Sequence, residues 1–114
     1  MHELSIAQAL VDQVEAARQA NNGGRVLSVM IRVGDWQQVV PEILTSYFGY
    51  LAQGTPLEAA RIVIDPVAAT ARCYDCGRVF AVEDIFLICP DCESRRCTLL
   101  TGKELELVEV ELDD

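Results

Sequence analysis

The chain has 114 residues, 51% of them hydrophobic, and a formal net charge of −9. That length supports one compact core with a small module beside it. The acidic balance gives no chain-wide attraction to a phosphate backbone and excludes nucleic acid as the expected partner; it fits a basic protein partner or the handling of cations. No apolar run has the basic flank of a signal peptide or the ~20-residue length of a membrane span, so the chain reads as cytoplasmic, without membrane insertion.

Residues 4–20 predict a helix, because Ala7, Leu10, Val11, Val14 and Ala17 recur at three- and four-residue spacing. Ser5 with Gln8 suggests a capping box at its start, and Asn21-Asn22-Gly23-Gly24 ends it. Residues 25–33 read as a strand. Leu27, Val29, Ile31 and Val33 share one face; Val26, Ser28, Met30 and Arg32 share the other, which is mixed and part-solvated. Gly34-Asp35 breaks it.

Residues 41–53 predict a second helix with Val40, Ile43, Leu44, Tyr47, Phe48 and Leu51 on its stripe. Pro41 suits the first turn, where its missing N–H costs nothing, and Gly54-Thr55-Pro56 stops the element. Tyr47 and Phe48 are expected in the core. Residues 60–65 predict a short strand around Ile62, Val63 and Ile64, closed by Asp65-Pro66. A last strand covers about 104–112. Its alternation slips phase near Leu107-Val108, which a β-bulge would explain, as would two halves packing against different surroundings.

Between these last two strands lie Cys73, Cys76, Cys89 and Cys92, two Cys-x-x-Cys pairs separated by twelve residues. Each pair can bring two thiolates to one ion across a tight turn, and the loop between them closes at little entropic cost. A tetrahedral four-thiolate zinc site is the natural product of that spacing. Disulfides are the weaker reading in a reducing compartment. Four thiolates leave zinc no open position, which favours a structural site over a catalytic one, and no nucleophile–base pair suggests an enzyme. Iron suits the same donor set and would make a rubredoxin-like protein; a redox dithiol is a further alternative.

Gly77 can take positive φ just after the second ligand and turn backbone N–H groups toward the sulfurs. Glu93 stands at the matching place in the second knuckle, where a glycine would be easier, so a strained or modified turn is expected there. Pro90 stiffens that knuckle. Residues 79–81 and 85–88 suggest a small hairpin joining the two. Cys97 is a fifth cysteine outside the set, read as a free thiol or as an alternative ligand during exchange or stress.

His2 is the sole histidine. The Met1 amine, the His2 amide nitrogen and imidazole, and the Glu3 amide nitrogen can complete a four-nitrogen plane, an arrangement suited to Ni²⁺ or Cu²⁺. Against this stands a zinc-ribbon adaptor in which His2 is incidental.

The opening Met1-His2-Glu3-Leu4-Ser5-Ile6-Ala7-Gln8 resembles that of the hydrogenase nickel-incorporation proteins of the HypA/HybF family. So do Ile31-Arg32-Val33-Gly34, Val40-Pro41-Glu42, Gln53-Gly54-Thr55, the two cysteine pairs and the ending from Gly102 to Glu111. The likeness covers essentially the whole chain in the right order. It implies a nickel metallochaperone that delivers Ni²⁺ to the [NiFe]-hydrogenase large subunit precursor, and in some members to urease, with a nickel-binding GTPase as partner. It also implies nickel at His2 and a structural zinc on Cys73, Cys76, Cys89 and Cys92. The departures are Asp35-Trp36-Gln37-Gln38, Glu93 in place of glycine, and the extra Cys97.

The expected fold is α+β: a small sheet of about three strands with two helices, and an inserted four-cysteine module resembling a zinc ribbon. The expected division is a discontinuous nickel-binding domain, 1–69 with 98–114, and a zinc-binding domain, 70–97.

Overall fold

In the computed structural model, which describes residues 2–83 and 86–113, a long helix α1 (His2–Ala20) leads into strand β1 (Val26–Gly34) and a short 3-10 turn (Asp35–Gln37). Helix α2 (Pro41–Leu51) follows, then β2 (Arg61–Val67), β3 (Thr70–Cys73), β4 (Val79–Ala81), β5 (Cys97–Thr101) and β6 (Leu105–Leu112). The strands form two three-stranded sheets, ordered β2-β1-β6 and β4-β3-β5. The three strands expected from the sequence therefore make one sheet, and the cysteine segment is inserted between two of them. The chain divides into two compact units. One is Met1–Arg32, Val39–Asp65 and Glu106–Asp114; the other is Val33–Gln38 and Pro66–Leu105.

The first unit is an apolar core of ordinary construction. Ala7, Leu10 and Val14 of α1 and Leu44 and Phe48 of α2 are buried, and the two helices pack on each other. β1 contributes Val26, Val29 and Ile31. Tyr47 is half-buried and Phe48 is core, whereas Val40 and Ile43, read from periodicity as part of the same stripe, are exposed. Val26 is buried and Leu27 is 40% exposed, so the first turn of the strand has the opposite phase to the one expected, and the alternation settles only from Val29 onward.

Element boundaries also differ from expectation, while the phase change in the last strand falls where it was expected. Helix α1 begins at His2, which makes Ser5 an interior residue. Its hydroxyl donates to the His2 carbonyl at 2.9 Å, and Gln8 donates to Asp12 at 3.2 Å, so the pair is not a capping box. β2 continues through Pro66 to Val67; β2 lies at a sheet edge, where a missing N–H need not break a ladder. In β6 the inward residues are Leu107, Val110 and Leu112, with Val108 exposed, so the change of phase lies between 107 and 110.

The second unit has a much smaller core: Ala71, Cys73, Phe80 and Cys89, with Val82, Leu87 and Cys97 against it. β3 pairs antiparallel with β4 (Ala71 opposite Phe80) and with β5 (Cys73 opposite Cys97). The hairpin partner of 79–81 is thus β3, and Phe86, Leu87 and Ile88 lie outside any strand; Ile85 lies outside the described residues. Gly34 abuts the Gly102 carbonyl so closely that a Cβ there would collide with it. This close approach lets the Trp36 N–H reach the Gly102 carbonyl at 2.9 Å.

Candidate metal centres

The four cysteines expected to act together do converge: the sulfurs of Cys73, Cys76, Cys89 and Cys92 all lie within 4.8 Å of one another. Cys73 Sγ is 3.5 Å from Cys92 Sγ, and Cys76 Sγ is 3.5 Å from Cys89 Sγ. A tetrahedron of ordinary zinc–thiolate bonds has edges of about 3.8 Å, so the four sulfurs stand close to the spacing that zinc requires.

The fit comes from two knuckles built alike. In the first, the Gly77 N–H donates to the Cys73 carbonyl and the Cys73 N–H donates to the Arg78 carbonyl, both at 2.9 Å. In the second, the Glu93 N–H donates to the Cys89 carbonyl and the Cys89 N–H donates to the Ser94 carbonyl, again at 2.9 Å. Each turn closes on a residue in the left-handed region, Gly77 at φ 79° and Glu93 at φ 62°. The turn expected to be strained at Glu93 is therefore present, with a side chain where the twin knuckle has none.

Polar side chains tie the knuckles together by the same rule. Asp75 and Asp91 hold equivalent places, third in each Cys-x-x-Cys. Asp75 accepts from Ser94 of the other knuckle, and Asp91 pairs with Arg78 of the other knuckle. Arg96 adds a second partner to Asp75 at 3.3 Å. These cross-links were not anticipated, although the shared aspartate position in the two motifs was their signal.

Crowding of the sulfurs governs their protonation. The backbone N–H of Cys76, with that of Asp75, favours the Cys73 thiolate and brings that thiol down to about 6 against the cost of burial. At Cys76 the Arg78 N–H also favours the thiolate, but the Cys89 sulfur and burial outweigh it and the thiol is raised. At Cys92 the Ser94 N–H is outweighed by the Cys73 sulfur and burial, and the thiol rises to about 12. Cys73 ionises readily, and Cys76 and Cys92 then resist; a dication held among the sulfurs would favour their thiolate forms.

Of the N-terminal candidates, His2 and Glu3 lie on the first turn of α1. Met1 is outside the described residues. His2 has a half-exposed side chain, with Nδ1 3.7 Å from Glu3 Oε1. Glu3 is buried, and its Oε2 accepts the Val40 N–H at 3.1 Å. That bond, together with one from its own amide, holds the Glu3 carboxyl below its usual range. The resulting stabilisation is fully present above the ordinary carboxylate range and is lost as pH falls through the depressed value. The sequence offered Glu3 as a backbone donor; the structure adds that its side chain fastens the start of α1 to the entry of α2. The first amides of a helix have no carbonyl four residues back, so nitrogen ligation in this turn does not dismantle the helical ladder.

A family model described as hydrogenase/urease nickel incorporation, metallochaperone, HypA matches residues 1–112. A protein of Streptomyces avermitilis named hydrogenase maturation factor HypA is 43% identical, covering 100% of this chain and 88% of its own. One of the same name from a Picosynechococcus strain is 37% identical over 98% of this chain and 99% of its own. The solution structure of the nickel metallochaperone HypA from Helicobacter pylori superposes with a TM-score of 0.68 at 20% identity, covering 96% of both chains. A second HypA solution structure gives 0.69 at 22% identity, covering 98% of this chain and 96% of that one; at such identities the likeness concerns the fold. The chain belongs to the HypA family of hydrogenase/urease nickel-incorporation metallochaperones.

Proposed function

We propose that this protein binds Ni²⁺ at its N-terminus and hands it to the [NiFe]-hydrogenase large subunit precursor, with a nickel-binding GTPase as its partner in maturation. The observation that carries the proposal is the family match along residues 1–112, which includes His2 with its half-exposed side chain. The ligands are the Met1 amine, the His2 amide and imidazole nitrogens and, less directly, the Glu3 amide. Taking the Glu3 amide removes one hydrogen bond from its own carboxylate. Zinc sits on Cys73, Cys76, Cys89 and Cys92 as a structural ion and organises residues 70–97, while residues 1–69 with 98–114 carry the nickel. Urease, which takes up the same ion, is a further recipient on this reading. The work is done in the cytoplasm; among the described residues no helix is long and apolar enough to cross a membrane.

An exposed terminal chelate suits delivery, because a receiving site can displace it ligand by ligand. The test is a Ni²⁺ titration of zinc-loaded protein with its native N-terminus, beside His2→Ala and a form with a short N-terminal extension. Native protein takes up about one nickel and both variants lose it. Amide nitrogens must shed protons to ligate, so nickel leaves before zinc as pH falls. Equal binding in all three proteins would place nickel elsewhere.

A further inference from the structure

The fifth cysteine lies directly across a sheet from a proposed zinc ligand. Cys97, first residue of β5, is the register partner of Cys73, last residue of β3. The Tyr74 N–H donates to the Arg96 carbonyl at 2.8 Å. That bond flanks the pair rather than joining it, which makes this a non-hydrogen-bonded site. At such sites opposed Cα atoms stand about 4.5 Å apart, within the span a disulfide bridges. Directly opposed residues share a face, and here both cysteines pack in one cluster, where the Cys97 thiol donates to the Ser94 carbonyl at 3.5 Å. Cys97 is half-buried, while Cys73 is fully buried.

We propose that Cys73 and Cys97 form a peroxide-sensitive dithiol, and that their cross-strand disulfide takes one sulfur out of the four-thiolate set and releases zinc. The chemistry balances with hydrogen peroxide as oxidant. The Cys97 sulfur attacks a peroxide oxygen, the O–O bond breaks, and Cys97 becomes a sulfenic acid; its thiol proton leaves with the hydroxide as water. The Cys73 thiolate then attacks the Cys97 sulfur, the S–O bond breaks, and hydroxide departs as the S–S bond forms. Two electrons pass from the sulfur pair to peroxide. Three thiolates remain for the ion, and the closed tetrahedral set is lost. A thiol reductant reverses the step by exchange. The proposal rests on the zinc reading of the four sulfurs and not on the nickel site.

The experiment treats zinc-loaded full-length protein with hydrogen peroxide beside Cys97→Ser and Cys97→Ala, after the metal content of each has been measured. Zinc release is followed with a chromophoric chelator, and unreduced peptides are mapped by mass. The native protein yields a peptide linking 73 to 97, releases zinc several-fold faster than either variant, and takes it up again after reduction. Equal release from all three proteins, or a disulfide that joins Cys73 or Cys97 to another sulfur instead, would overturn the proposal. A starting protein without zinc would overturn the metal reading, and the peptide map would still decide the pairing.

Discussion

The two compact units solve the problem of folding a short chain in different ways. The first buries Phe48, Leu44, Val14, Ile31 and their neighbours between helices and sheet, and its order follows from apolar area removed from water. The second buries four residues in its cluster, and two of them, Cys73 and Cys89, are candidate metal ligands. A core of that size rarely stabilises a module unaided, and a structural metal is a common supplement. The difference teaches that hydrophobic periodicity organises one part of this chain and thiolate spacing the other.

The largest expected effect breaks the comparison at its metal. Removing zinc with a strong chelator unfolds the second unit and leaves the helices, because both helices belong to the first. Trp36 is the sole tryptophan and belongs to the second unit, so its emission reports that loss while the far-ultraviolet helical signal persists. Loss of both signals in one transition would mean that the units do not differ in this way.

Next comes the converse perturbation. Phe48 is 2% exposed, and truncating such a side chain typically costs about 3–5 kcal/mol. Phe48→Ala lowers the stability of the helical unit by that amount in chemical denaturation, while the protein still holds its zinc. A variant that lost zinc in proportion would tie the two units into one cooperative block.

The same division decides what was legible in the sequence. Ala7, Leu10 and Val14 mark α1, Leu44 and Phe48 mark α2, and Val29 and Ile31 mark β1, because burial on one face imposes a period that can be read. The cysteine quartet is legible for another reason, since its spacing records a coordination geometry. β5 was missed because Cys97, Thr98 and Leu99 are all half-buried and show no alternation, and because its ladder shifts register opposite Thr70 and Ala71. The grip of the Glu3 carboxylate on the Val40 N–H spans 37 positions and leaves no local trace. The outward turn of Ile43 was equally hidden, because periodicity names a stripe but not how wide a strip the neighbouring helix covers.

The smallest effect sharpens a comparison inside the second unit, between its two knuckles. They share hydrogen bonds and left-handed closing residues, and they differ in that one closes on Gly77 and the other on Glu93. A non-glycine residue in that conformation carries a penalty of about 1–2 kcal/mol, part of which glycine returns through the extra freedom it loses on folding. Glu93→Gly therefore stabilises the zinc-loaded unit by at most about 1 kcal/mol, and Gly77→Ala destabilises it by about the same amount. A Cβ at Gly77 meets nothing within 4 Å, so the loss there reports backbone conformation and not a clash. Thermal melts of the two zinc-loaded variants, followed by Trp36 emission, measure both signs. If both substitutions lowered the melting temperature, the Glu93 side chain would have to contribute more than its backbone costs, and the knuckles would be alike in geometry but not in what holds them.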